Sequence, residues 1–482
     1  MNTNFIARKL GVLLLILAIG MTAPLAVSII HRDGDADAFI KSIVIIAAFA
    51  FATLPFKQKS GNVYARDGAA LTGLGWMAVV LLGALPYQFS GRFVSFADCF
   101  FESASGFTTT GATIIENVEL MPHGIIFWRS MTHWMGGMGF LVLMLALMPS
   151  TRANGLHILR SESSGPGIEK FVPKVRSLAR ILYLIYITIT VIIFVLLLLG
   201  GLNVFDALIH AFGAASTGGF SNRAASVGAF KSAYVEWVLI AGMLFSGINF
   251  ALYYALLHGK VKTILKNTEL RVFLIIVVVS AGLIVLNIAA SGMLDSVGNG
   301  IRSSLFSVVS IITTTGYATA DFALWPTASR LILLILMLLG ACAVSTAGGL
   351  KIIRVIILWK AGRRETMKLI HPRTARPVSI DGKTVDDDVV TSTVVFFTVY
   401  IAALILTALI ISFDGQSMTT TFSASLSALS NIGLALDKAG PTGSFAIFSA
   451  RSKVTLAIAM LVGRLEVFPL LMLFTKQSWS RA

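Results

Sequence analysis

The stretch Gly106-Phe107-Thr108-Thr109-Thr110-Gly111-Ala112-Thr113 decides how this chain is read. It ends a segment of about a dozen residues, short of the roughly 20 that a helix needs to cross a bilayer core, and longer apolar runs lie on either side. The pattern returns three times, as Ser216-Thr217-Gly218-Gly219-Phe220, Thr313-Thr314-Thr315-Gly316-Tyr317 and Ser430-Asn431-Ile432-Gly433-Leu434. Aligned on Gly111, Gly218, Gly316 and Gly433, the intervals are 107, 98 and 117 residues. Each unit therefore reads as spanning helix, re-entrant half-helix, polar turn, spanning helix. Non-helical backbone at membrane depth needs protein or a water-filled cavity around it, so four such turns are best accommodated by converging on one aqueous axis.

The composition agrees. Of 482 residues, 56% are hydrophobic and 13% charged, against about 25% charged in soluble domains. The chain is an all-α integral membrane protein in this reading. Its net charge of +15 is spread over short loops, not gathered in a basic, aromatic-interleaved domain, so a nucleic-acid partner is not expected. Lys57, Lys59 and Arg66 share one loop, and Arg152, Arg160, Lys170, Lys174, Arg176 and Arg180 the next. Lys260, Lys262, Lys266 and Arg271 fill a third, and Arg363, Arg364, Lys368, Arg373, Arg376 and Lys383 a fourth. The alternate loops carry Asp33, Asp35, Asp37, Glu116, Glu119 and Asp295. The positive-inside rule puts the basic loops in the cytoplasm, together with both termini through Arg8, Lys9, Lys476 and Arg481. Arg8 and Lys9 before apolar Leu10 to Ile30 resemble a signal peptide, but the run is long enough to span. Cys99 and Cys342 offer no disulfide framework.

Apolar runs at about 8–30, 38–56, 68–89, 124–148, 178–201, 233–257, 271–292, 328–359, 389–412 and 452–475 give ten expected spanning helices besides four half-helices. The divisions follow: two leading helices in 1–66, then pore units in 67–150, 151–260, 261–362 and 363–482. The polar linkers at about 149–177 and 360–388 fall short of the ~50 residues of a small domain. With the basic termini, they form the surface expected to dock a cytoplasmic regulator or lipid headgroups.

A potassium filter replaces the ion's hydration shell with backbone carbonyls. Glycine supplies the conformations that turn carbonyls inward, and a preceding threonine can add a hydroxyl. Thr109, Thr110 and Gly111, then Thr217 and Gly218, then Thr314, Thr315 and Gly316 meet that demand; Asn431, Ile432 and Gly433 keep the glycine without the threonine. Potassium is expected at Thr110, Gly111, Thr217, Gly218, Thr315, Gly316, Ile432 and Gly433. Each half-helix would aim its C-terminal carbonyl dipoles at the cation. Small residues also mediate membrane helix packing, but four turns in one register are not explained by packing alone.

These motifs, with two leading helices and four helix–turn–helix units, resemble the Trk/Ktr/HKT superfamily of potassium transporters, in particular the bacterial TrkH/TrkG type. The resemblance covers essentially the whole chain. It implies a bacterial inner-membrane potassium uptake protein with four pseudo-symmetric repeats around one pore, selective through one glycine per repeat. It also implies a homodimer, controlled by a cytoplasmic nucleotide-binding ring protein of the TrkA type. The chain has no phosphate-binding or dinucleotide fingerprint, so ATP, ADP or NAD would bind that partner. No cofactor beyond transported potassium is expected.

Two features lie below the turns. Ser345-Thr346-Ala347-Gly348-Gly349 interrupts an apolar run before Lys351, and such a break can unwind into a cavity-lining loop. The resemblance implies that this loop gates the pore and that Arg464, in the last apolar run with Glu466 nearby, sits at the constriction. Glycine kinking for packing and carbonyl satisfaction of Arg464 are the plainer alternatives. Glu102 and Asp206 are expected to brace or cap half-helices, and His133 to be a buried hydrogen-bonding residue. An inverted-repeat secondary transporter would use broken helices too, but these units all enter from one side. An intramembrane enzyme would need a convergent acid, base, nucleophile or metal set, which the sequence does not show. Gated conduction and coupled symport both fit.

Overall fold

The computed structural model describes residues 2–56, 65–139, 175–294, 296–371 and 377–475. Among these, two leading hydrophobic elements, α1 (Thr3–Gly20) with α2 (Thr22–His31), and α3 (Ala36–Thr53), pack on the first unit. That unit contains α4 (Ala65–Gly83), α5 (Leu85–Phe89), the half-helix α6 (Phe96–Phe107) and α7 (His123–Gly137). The second contains α8 (Val175–Leu199), half-helix α9 (Val204–Ser216), α10 (Ala233–Gly247) and α11 (Phe250–Leu257). A short α12 (Val261–Lys266) leads to the third: α13 (Thr268–Ala290), half-helix α14 (Val297–Ile312), α15 (Thr327–Leu338) and α16 (Ile352–Ile370). A small hairpin of β1 (Ser379–Ile380) and β2 (Lys383–Thr384) precedes the fourth: α17 (Asp387–Ser412), half-helix α18 (Met418–Ser430), α19 (Ala450–Arg464) and α20 (Phe468–Phe474).

The four half-helices begin alike. Ser95, Asn203, Ser296 and Ser417 each cap the first turn by accepting a backbone N–H, from Asp98, Asp206, Asn299 and Thr420 respectively, which satisfies amides that a buried helix start would leave orphaned. Packing closes a circle. The second helix of each unit lies against the half-helix of the next, α7 on α9, α10 on α14, α15 on α18, and α19 back on α6.

Among the described residues, six helical stretches are long and apolar enough to cross a membrane: Thr3–His31, Ala36–Thr53, Arg66–Phe89, Ala179–Leu199, Thr268–Ala290 and Asp387–Ser412. These match six of the expected spans. The expected runs that follow the turns differ, because every one of them breaks. The run expected at 233–257 bends by 90° between Gly247 and Phe250. The run at 328–359 is interrupted from Leu339 to Lys351, well beyond the five small residues that first marked it. The run at 452–475 stops at Arg464 and restarts at Phe468, with Glu466 and Val467 at positive φ. In the first unit α7 ends at Gly137, and the rest of the 124–148 run lies outside the described residues. The physical cause is shared. Each break carries glycine, Gly136 and Gly137, Gly247, Gly340, and Gly463, and a Cβ on Gly136, Gly340 or Gly463 would come within 2.2 Å of a backbone oxygen. At Gly136, Gly247 and Gly463 the neighbouring atoms belong to the half-helix ends Phe107, Thr313 and Leu429, whereas Gly340 lies against Gly348 and Gly349 of its own loop.

Charged pairs fasten the circle from inside. Arg129 of α7 and Glu102 of α6 are fully buried and bonded at 2.7 Å. Glu102 also accepts from the Thr113 hydroxyl and the Ile114 amide, while Arg129 reaches the Ser221 carbonyl and lies over the Phe220 ring at 4.0 Å. Lys453 of α19 meets Asp98 of α6 at 2.7 Å, and Arg302 of α14 meets Glu236 of α10 at 2.7 Å. Thus Glu102 braces the exit of the first turn and, through Arg129, that of the second. Removing one partner of such a pair strands a buried charge and costs about 3–5 kcal/mol, whereas replacing both is far milder. Arg129→Met should therefore lower the thermal midpoint of the detergent-solubilised protein sharply, and Glu102→Gln added to it should recover most of the loss. Equal midpoints for the parent and Arg129→Met would contradict the bracing role.

Candidate functional site

The four half-helices end in the same backbone motif. The N–H groups of Thr110, Gly218, Thr315 and Ile432 donate to carbonyls five residues back, Ser105, Gly213, Ser310 and Ser427, at 2.8–3.0 Å. The residue before each, Thr109, Thr217, Thr314 and Asn431, has φ between +55° and +59°. Asparagine tolerates that left-handed region; a β-branched threonine does so at a cost of about 1–3 kcal/mol. The fourth turn's departure from threonine is thus a residue better suited to the backbone it must adopt.

One register expectation is corrected here. The glycine with positive φ in the second turn is Gly219, at +78°, matching Gly111, Gly316 and Gly433 at +81°, +79° and +89°. Gly218 occupies the position of Thr110, Thr315 and Ile432. It is glycine for another reason: a Cβ there would lie 2.4 Å from the His133 ring. His133 is buried, pairs through Nδ1 with the Gly106 carbonyl at 2.7 Å and stacks on Phe220.

The four positive-φ glycines form a closed ring of contacts. A Cβ on Gly111 would meet the Gly218 oxygen at 2.1 Å, on Gly219 the Thr315 oxygen at 1.9 Å, on Gly316 the Ile432 oxygen at 2.0 Å, and on Gly433 the Thr110 oxygen at 2.3 Å. Each turn is pressed against the next, and the fourth against the first. None of the twelve carbonyls of residues 109–111, 217–219, 314–316 and 431–433 accepts a hydrogen bond from a described residue. Buried carbonyls are almost always paired, so a dozen left over in one ring is a donor set for a cation or for water. At its inner edge Thr110 and Thr315 bring hydroxyls that pair with Thr108 and Thr313 at 2.8 Å, and the Asn431 amide nitrogen donates to Thr110 at 3.0 Å.

The interrupted segment lies directly on this ring. Gly340 N–H donates to the Leu350 carbonyl at 2.7 Å, pinning the two ends together, and the loop between them turns through Val344 and Gly349 at positive φ. Gly348 N–H donates to the Thr314 hydroxyl at 2.8 Å, and Thr346 stands 3.3 Å from the Thr217 hydroxyl. A Cβ on Gly348 would strike the Ser430 oxygen and the Asn431 side chain. Arg464 ties the loop to the rest, donating to Thr346 O at 2.8 Å and to Gly136 O and Gly137 O at 2.6 and 2.7 Å. Its charge therefore lies at the carbonyl end of α7, where a cation is favoured. Lys351, also buried, donates to the Ala347 carbonyl, whereas Ser345 bonds within the loop, to Cys342 O. Glu466 pairs with Arg354, not with Arg464.

This arrangement has relatives. A family model described as TrkH, cation transport protein, matches residues 35–481, all four turns included. The chain belongs to the TrkH family. The Trk system potassium uptake protein TrkH of Halomonas elongata is 34% identical over 487 residues, 100% of both chains. TrkH of Escherichia coli K12 is 34% identical over 99% of this chain and 100% of its own. The crystal structure of the potassium transporter TrkH from Vibrio parahaemolyticus superposes with a TM-score of 0.90 at 32% identity, covering 100% of each chain.

All the named turn residues, together with Ser345, Thr346, Ala347, Gly348, Gly349, Lys351 and Arg464, fall within this assembly. Reading the residues one unit at a time missed Gly219 and the bracing Arg129; the doubled Gly218-Gly219 was the available signal for the first. Asp206 bonds Asn203, Asn222 and Arg223, closing the second turn's exit onto the start of its own half-helix. Asp437 does the same in the fourth unit, where hydrogen bonds from Ser417 and Thr420 hold its carboxyl below the usual range. If the register is as described, Gly218→Ala combined with His133→Ala should insert and retain its thermal midpoint within a few degrees of His133→Ala alone. Gly219→Ala should stay damaged in either background, because its clash is with backbone. Equal recovery of both would return the register to Gly218.

Proposed function

We propose that this chain carries potassium into the cell through the ring of turns, with Thr109 to Gly111, Thr217 to Gly219, Thr314 to Gly316 and Asn431 to Gly433 as its filter. The observation that carries the reading is the ring of twelve carbonyls to which no described residue donates, closed by glycine against carbonyl around all four units. Such carbonyls can replace a monovalent ion's hydration shell. The half-helices end at the ring, so their carbonyl dipoles face it, the polarity a cation requires. The relatives named as potassium uptake proteins and a potassium transporter supply the ion.

In this reading the basic face is cytoplasmic, both termini lie there, and the membrane is the bacterial inner membrane. Residues Ser345 to Gly349 are the gate, resting on the ring's inner edge and held by Arg464 and Lys351. A guanidinium about 6 Å from the ion path also opposes a cation by roughly 3 kcal/mol at an effective dielectric of about 20. The working form is a homodimer regulated by a cytoplasmic nucleotide-binding ring protein of the TrkA type, seated on the basic loops. Of those loops, 149–174, Arg373, Arg376, Lys476 and Arg481 lie outside the described residues; Arg364 is paired with Glu365 and Asp387.

Rubidium uptake in cells lacking their own potassium systems tests the transport itself, with sodium and proton controls. No monovalent cation flux with or without the partner would reject it. Arg464→Ala, and separately deletion within Ala347 to Gly349, should raise unstimulated flux by about tenfold or more, since the three charge-assisted bonds lost are each worth about 1.5–3 kcal/mol. The potassium-to-sodium ratio should survive those changes but fall in Gly316→Val, whose side chain would strike the Ile432 carbonyl of the next turn. Unchanged flux in the first pair would place the gate elsewhere, and an unchanged ratio in Gly316→Val would reduce the ring to packing.

A further inference from the structure

The two ends of the inner loop lead to one small structure on the basic face. On the N-terminal side, Glu269, the second residue of α13 and buried, accepts the Ala343 N–H at 2.6 Å. The two residues before it bind a single carboxylate across more than a hundred residues of chain: Asp381 accepts from Thr268 N–H at 2.9 Å, from the Thr268 hydroxyl at 2.5 Å and from the Asn267 side chain at 3.3 Å. Asp381 and Gly382, at φ +51° and +74°, are the two turn residues between β1 and β2, a hairpin geometry that needs positive φ at both. The carboxylate thus sits on the N-terminus of α13, where the exposed amides and the helix dipole favour it.

On the C-terminal side the loop runs through Lys351 straight into α16. The hairpin rests on that helix as well: Val378 packs with Ile357 and Ala361, and Lys360 donates to Ser379 O at 2.7 Å. The hairpin therefore touches both elements that fix the loop, α13 through Asp381 and α16 through its base. A displacement of the hairpin cannot leave both undisturbed. Because Glu269 adjoins the capped residues, a shift of the α13 start withdraws the acceptor from Ala343, and a buried amide left without one favours loop rearrangement.

We infer that Asp381 and Glu269 are positioning residues for the inner loop, and that the 379–384 hairpin is the element through which an event at the basic face reaches it. This rests on the reading of Ser345 to Gly349 as the gate. It assigns to the hairpin a role beyond joining α16 to α17, and it explains why a carboxylate from a distant segment caps α13 when Asn267 already caps the same helix by accepting from Leu270 N–H.

The test uses the full-length protein in liposomes and a probe the chain already holds. Cys99 and Cys342 are both buried free thiols, and Cys342 lies inside the loop. In a Cys99→Ser background, the rate of Cys342 alkylation by a small maleimide reports loop displacement, and rubidium uptake reports flux. Asp381→Ala and Glu269→Ala should each raise both rates by roughly fivefold or more, the usual lower range of coupling between sites. Glu269→Gln keeps an acceptor for Ala343 and should return both toward the parent. The potassium-to-sodium ratio should not move. Asp381 is on the surface, so its variants, Asp381→Asn included, test the circuit even where Glu269→Ala fails to insert. Arg464→Ala is the control. If it raises flux while Asp381→Ala and Glu269→Ala leave both rates at the parental level, the loop is the gate but the hairpin is not its handle, and the inference falls. If Arg464→Ala itself changes nothing, the gate reading fails first. A rise in flux without faster Cys342 alkylation likewise overturns the inference, because ions would then pass by another route.

Discussion

A helix that ends inside a membrane must dispose of its last carbonyls, and here four helices do so through one backbone device. A residue in the left-handed region, followed two places later by a left-handed glycine, turns the chain back toward the side it came from. The amide between them closes onto the carbonyl five residues behind. Three of the left-handed residues are threonines, a residue type that resists this conformation. Such strain persists only where the surroundings over-determine it, and it gathers at functional sites. The surroundings here are the neighbouring turns, each glycine lying where a side chain would strike the next turn's carbonyl.

That packing is self-limiting. With no room for a Cβ, the ring cannot tighten by substitution, and with no donor to its carbonyls among the described residues it does not satisfy itself. The half-helices must then be held from behind. The buried Glu102–Arg129 pair, Asp98–Lys453 and Glu236–Arg302 do so. Buried ion pairs add little net stability against apolar replacements, yet their directionality specifies one arrangement among many that an apolar core would permit. Arg129 shows this best, since one guanidinium reaches Glu102, Thr113 and Ser221 and so fixes the exits of two turns.

The breaks in the helices beyond the turns follow from the same ring. Crowding at Gly136 by Phe107 and at Gly463 by Leu429 leaves no room for side chains where those helices stop. The freed backbone groups are then satisfied within the protein: Cys342 N–H by Gly247 O, Phe250 N–H by Val344 O, and Gly136 O and Gly137 O by Arg464. Among the described residues, the third unit's break is the longest, and its loop reaches the turns. Its loop bonds Thr314 and abuts Asn431, and Arg464 fastens it to the first unit. A segment that touches the second, third and fourth units and is tied through Arg464 to the first is well placed to sense any of them.

Hydrophobic length and the Ser/Thr/Asn-to-glycine pattern are local properties of the chain, and they suffice to read off the membrane class, the four half-helices and the polar turns that end them. The sequence also marked Ser345 to Gly349 and Arg464 as out of place in apolar surroundings. Which glycine of Gly218-Gly219 belongs to the ring becomes visible once the turns are packed together. The difference is that one is excluded from bearing a side chain by Thr315 and the other by His133, and neither neighbour is near in sequence. The fold likewise decided that Arg464 serves three carbonyls and Glu466 serves Arg354. It straightened no run that follows a turn, although hydropathy alone runs through all of them. Hydropathy records how apolar a segment is; whether that segment has space to remain helical is set by what other parts of the chain have already placed there.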